Sequence, residues 1–174
     1  PNVGQLLENG ILYNEMHSPY PVCAPARSAI ITGMYPSSIG TGNQRAYHQK
    51  RKVRPDSESQ LGFPYYSSKL AEAIKPFTQI LRENGYYCTN NSKTDYNFKL
   101  TDQAWDESSK NASWENRKKD QPFFAVFNFG VTHESSIWNR DKNKLKVDPN
   151  ILKVPPVFPD DSITRHALAV NYSN

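Results

Sequence analysis

The chain has 174 residues, of which 37% are hydrophobic, 12% aromatic and 22% charged, enough apolar material for one domain with a real core. No apolar run approaches the ~18 residues of a membrane-spanning helix, and two cysteines exclude a disulfide-stapled mini-protein or a multi-cysteine zinc module. The net charge of +4 suits an anionic ligand about as well as nucleic acid.

The chain opens Pro1-Asn2-Val3 without a signal-like segment and closes on Asn171-Tyr172-Ser173-Asn174, directly after a helical pattern. The expectation is an internal piece of a longer protein, with residues 1–174 forming part of one catalytic domain.

Gln5 to Gly10 reads as a short helical turn, and Ile11-Leu12-Tyr13 as a short buried strand. Ala26 to Thr32 is a helix, with Gly33 suited to the left-handed position after its end. Residues 35–68 are irregular and carry a basic run, His48 to Arg54. Pro76 to Asn84 is the clearest helix. Pro76 takes the first turn, Phe77, Ile80 and Leu81 share a face, and Gly85 ends it.

Tyr86 to Thr89 follows as a strand, with Cys88 as a buried, inert thiol near its end. The polar segment 101–121 reads as a surface excursion. Pro122 to Phe129 is an almost unbroken apolar run, the pattern of a strand buried on both faces of a parallel sheet. A charged, then proline-rich connection leads to a final helix from Ser162 to Asn171. Strands alternating with helices predict a layered α/β fold.

Chemistry concentrates first at Cys23-Ala24-Pro25-Ala26-Arg27. A cysteine at a helix start faces unpaired backbone N–H groups and the positive end of the helix dipole. Arg27, four residues on, shares its face. That arrangement would suit a nucleophile beside a bound oxyanion. On spacing alone, a structural cysteine and a surface arginine remain the weightier alternative.

Lys93 lies in Asn90-Asn91-Ser92-Lys93-Thr94-Asp95, just past a strand, where α/β folds present ligand-binding loops. Its plain alternative is a solvated surface lysine. His133 follows the strand at 122–129 and could donate to an oxyanion or a leaving oxygen. A loop histidine satisfied by backbone groups is the alternative there. The run 48–54 lacks the interleaved aromatics and motifs of nucleic-acid binders, so no nucleic acid is expected as partner. Most such runs are solvated faces.

The string Cys23-Ala-Pro-Ala-Arg27-Ser-Ala-Ile-Ile-Thr32-Gly33 resembles the defining motif of the type I sulfatases, members of the alkaline phosphatase superfamily. Ala26 stands where serine is commoner. Phe77 to Tyr87, Pro122 to His133, and Pro155-Pro156 with the last helix also resemble segments of bacterial sulfatases acting on sulfated glycans.

The resemblance implies an alkaline-phosphatase-like fold, with a central mixed, mostly parallel sheet between helices. It also implies that a maturation enzyme oxidises Cys23 to formylglycine, whose hydrated aldehyde attacks sulfur. Arg27 would hold that nucleophile, Lys93 the sulfate, and His133 the leaving group. Asp95 stands where most members have a second histidine, so that role does not carry over.

A Ca2+ ion is implied too. Formylglycine at position 23 would be one ligand, with the others outside the chain. The substrate would be a sulfated sugar or another small sulfate ester, O- or N-linked. The compartment would be periplasmic, extracellular or lysosome-like. The rivals are a phosphate or phosphonate hydrolase on the same scaffold and a non-catalytic, anion-binding homologue.

Overall fold

The computed structural model describes residues 2–44, 66, 68–131, 133, 135–140 and 144–173. The basic run at 48–54 lies outside them. The chain divides into two compact units, Pro1–Phe127 and Asn128–Asn174.

The first unit contains α1 (Asn2–Glu8), α2 (Cys23–Thr32), α3 (Phe77–Glu83), β1 (Tyr87–Asn91), β2 (Glu107–Ser108), a single 3-10 turn (Trp114–Asn116) and β3 (Phe123–Phe127). Its sheet has the order β2-β1-β3, and both pairings are parallel. β1 is therefore central, and Cys88, Thr89 and Asn90 within it are buried. Ile31 of α2 joins Cys88, Tyr96, Phe98, Ala104 and Trp105 in one core cluster. Phe77 and Phe124 meet edge to face beside it, with centroids 5.2 Å apart.

α2 begins three residues earlier than the sequence suggests. Val22 caps it with extended backbone, Pro25 sits in its first turn, and Gly33 closes it at φ 68 with its N–H on the Ala29 carbonyl at 2.8 Å. Thr32 completes that end. Its hydroxyl donates to the Ser28 carbonyl at 2.7 Å and accepts from the Met34 N–H at 3.3 Å.

Several expectations are corrected. Ile11, Leu12 and Tyr13 form no strand and are 78%, 63% and 71% exposed, because no described strand pairs with them. On α3, Ile80 is exposed, while Thr78 and Gln79 are buried. Burying Gln79 is cheap because its amide is satisfied by Thr101, Gln103 and Glu83.

Segment 101–121 is no mere excursion: Ala104, Trp105 and Ala112 anchor it in the interior, and it contributes β2. β1 runs on to Asn91, so Cys88 is its second residue rather than near its end. β3, the outer strand of the described sheet, is not buried on both faces. Phe123 and Phe127 are each nearly half exposed. They pack instead against Trp114, with ring centroids 6.0 and 5.6 Å away.

The second unit holds α4 (Ser136–Arg140), a 3-10 turn (Pro149–Ile151) and α5 (Ser162–Ser173). Asp161 accepts the Thr164 N–H at 2.8 Å at the start of α5, and this bond holds its carboxyl below the usual range. Arg165 grips Asp160 through Nε and Nη2 and reaches the Pro149 and Leu152 carbonyls. Among the described residues no helix is long and apolar enough to cross a membrane.

Candidate active site

Cys23 is a free, half-buried thiol in the first turn of α2. Val22 provides no side-chain cap to the helix, and the Ala24 N–H meets the Gln44 Oε1 at a long 3.5 Å. Pro25 has no N–H to offer, and the Ala26 N–H bonds the Val22 carbonyl at 3.2 Å.

The helix is fixed from behind by a buried chain of hydroxyls. Ser28 donates to the Pro25 carbonyl at 2.8 Å and shares a 2.6 Å bond with Thr41, and both residues are fully buried. Thr41 leads into the segment 41–44 that ends at Gln44. Asn97, buried and left-handed at φ 60, holds that segment by donating Nδ2 to the Thr41 carbonyl at 3.0 Å and to the Asn43 carbonyl.

Arg27 does something the motif spacing does not show. Its Nη2 donates to the Lys93 carbonyl at 2.5 Å and its Nε to the Thr94 carbonyl at 2.8 Å. The guanidinium also lies over the Tyr96 ring, 5.3 Å from its centroid. Burial raises the Tyr96 phenol above its ordinary value, with Arg27 pulling the other way. The arginine therefore ties α2 to the loop after β1. It is a strut between these two elements, with planar geometry that a lysine cannot reproduce.

Lys93 is partly exposed, and its Nζ lies 3.7 Å from Asp95 Oδ2. Asp95 reaches back because its backbone is left-handed, at φ 51. Asn90, wholly buried at the end of β1, donates Nδ2 to the Lys93 carbonyl at 3.2 Å and to Ser108 Oγ at 2.9 Å. Two side chains thus hold the Lys93 carbonyl, and one carboxylate aims its ammonium. The roles of Asn90, Asp95 and Asn97 were not read from sequence. The available signal was a cluster of Asn and Asp in a polar loop, the residues that tolerate positive φ.

His133 belongs to the second unit, six residues past β3. Its Nδ1 accepts the Ser135 N–H at 3.3 Å and lies 2.8 Å from Ser135 Oγ. A backbone N–H can only donate, so Nδ1 is the acceptor and Nε2 carries the proton of the neutral ring. In that tautomer Nε2 is the ring's N–H donor.

Cys88 contrasts with Cys23. It is fully buried, its Sγ lies 3.5 Å from the Thr78 carbonyl, and burial, with the Asp106 charge adding, pushes its thiol up to about 11. A raised pKa leaves almost no thiolate below about pH 10. Iodoacetamide at pH 8 should therefore alkylate unconverted Cys23 and spare Cys88 in the folded protein. Equal labelling of both, read by mass spectrometry, would contradict the burial assigned to Cys88.

Among the described residues no three His, Cys, Asp or Glu side chains converge to hold a metal ion. The described residues do not by themselves make a calcium site.

The parallel sheet carries a lysine loop at the end of its central strand, strapped by Arg27 to the cysteine-headed helix, where α/β folds present ligand-binding loops. The sulfatase family model matches residues 1–160, so the chain belongs to the sulfatase family. An ulvan-active sulfatase of Formosa agariphila is 48% identical over 138 residues, 79% of this chain and 22% of that protein. A second protein of that organism, named sulfatase, is 29% identical over 98 residues, 56% of this chain and 17% of its own length. The chain spans about a fifth of the length of these curated relatives. Its parallel sheet and helices are consistent with the α/β fold of that family, in part.

Proposed function

We propose that the protein is a sulfuric ester hydrolase whose nucleophile derives from Cys23, and that residues 1–174 form part of its catalytic domain. The observation that carries this is the Arg27 strut, which joins the head of α2 to the backbone of Lys93 and Thr94. An arginine spent this way makes sense if Cys23 and Lys93 must keep a fixed relation around one small anion.

A maturation enzyme, supplying a two-electron oxidant, converts the Cys23 side chain to the aldehyde, its sulfur leaving as sulfide and the carbonyl oxygen coming from water or the oxidant. One hydroxyl of the aldehyde hydrate attacks sulfur, and the bond from sulfur to the substrate oxygen or nitrogen breaks. Lys93 offsets charge on the sulfate oxygens. His133 Nε2–H donates to the departing atom, which leaves protonated. The remaining hydroxyl of the sulfated hydrate then loses its proton, the aldehyde reforms, and sulfate leaves. The net reaction consumes one water.

The substrate proposed is a sulfated polysaccharide, as the name of the ulvan-active relative suggests. The proposed setting is periplasmic, extracellular or lysosome-like.

Co-expression of the full-length protein with a formylglycine-generating enzyme should yield sulfate release from an aryl sulfate and from ulvan. Little release is expected without that partner. Faster hydrolysis of the matching aryl phosphate would contradict the assignment. Lys93→Ala and His133→Ala should each lower kcat/KM ~10²-fold or more, the scale of a single electrostatic or acid–base group. A variant with near-normal activity would remove its residue from the mechanism.

A further inference from the structure

The loop that leaves β1 with Lys93 does not end its work at Asn97. The next residues, Phe98 and Lys99, line a cleft of about 510 Å³ between that loop, the segment 68–76 and α3. This volume falls within the ordinary range of small-ligand sites. Its apolar lining includes Leu70, Ile74 and the buried Phe98.

Three lysines line it, Lys69, Lys75 and Lys99, against one carboxylate, Glu72. Lys75 is spent on Glu83 at 2.8 Å. Lys69 and Lys99 are exposed and have no ion-pair partner among the described residues. Gln103, exposed at the cleft wall, accepts from Gln79 through its Oε1.

An apolar lining with free cations suits a sugar ring bearing an anionic group. The ring's C–H face packs on the apolar side, while the anion meets Lys69 and Lys99. We infer that this cleft binds an anionic unit of a glycan, sulfated or carboxylated, apart from the group that meets residue 23. The inference rests on the sulfatase reading and adds to it. The enzyme would hold a polyanionic chain at two places, the second reached along the same loop that carries Lys93.

The test is affinity electrophoresis of the full-length protein in gels containing dextran sulfate, alginate or neutral dextran. The first glycan carries sulfate, the second carboxylate and the third neither. The wild type should be retarded by at least one charged glycan and not by dextran. Lys69→Ala/Lys99→Ala should weaken that binding ~3–10-fold, as expected for two partly exposed charges, and Lys69→Arg/Lys99→Arg should restore it. Added salt should narrow the difference.

Turnover of a small aryl sulfate should stay within about twofold of wild type in both double variants, as its single sulfate cannot span to a second anion site. Equal retardation of wild type and alanine variant, or retardation by dextran alone, would overturn the cleft. Lysine-dependent retardation without any aryl sulfate hydrolysis would uphold the cleft and overturn the sulfatase reading.

Discussion

Cys23→Ala is expected to reduce sulfate release to background, a loss on the order of 10⁶-fold, the scale reached when a covalent nucleophile is removed. The protein should remain folded. The thiol is half exposed in the first turn of α2, and the helix is held by Ser28, Thr41 and the Gly33 cap instead. Cys23→Ser should behave like alanine in a host that cannot convert serine, since an ordinary hydroxyl lacks the second oxygen needed to expel sulfate. Circular dichroism with the activity assay separates this from unfolding. Retained turnover in either variant would place the nucleophile elsewhere.

Arg27→Ala and Arg27→Lys are expected to cost ~10²-fold or more in kcat per aldehyde, the scale of a misplacement of about an ångström between catalytic groups. Alanine removes both carbonyl contacts and the ring contact with Tyr96. Lysine keeps the charge but cannot serve the Lys93 and Thr94 carbonyls with one rigid plane. Rates must be divided by aldehyde content, so that a change in the conversion of Cys23 is not read as a change in turnover. A near-normal Arg27→Lys rate would show that only the positive charge matters, and the strut would then be incidental.

What the sequence made legible was local. The helix expected at Ala26 to Thr32, its left-handed Gly33, the helix before Gly85 and the two longer strands follow from capping, spacing and β-prone composition, and they form near their expected places, the first helix starting three residues early. The nucleophile candidate was legible because its motif is long and strict. The direction of Arg27 was not. The helical spacing of residues 23 and 27 suggests a contact within the turn, whereas the carbonyls it serves lie 66 and 67 residues away and come near only through the sheet.

The Lys93–Asp95 pair was missed for a related reason. It depends on a positive φ at Asp95, which composition permits but does not specify. The apolar run at 122–129 misled because periodicity reports hydrophobicity and not neighbours. In this chain Phe123 and Phe127 find Trp114 on one side rather than a covering helix.

The most direct measurement is a mass spectrum of the peptide carrying residue 23, from full-length protein made with a formylglycine-generating enzyme and shown to release sulfate. An aldehyde at that position, captured by hydrazide labelling in proportion to activity, is the predicted result. An intact Cys23 thiol in fully active enzyme would contradict the account.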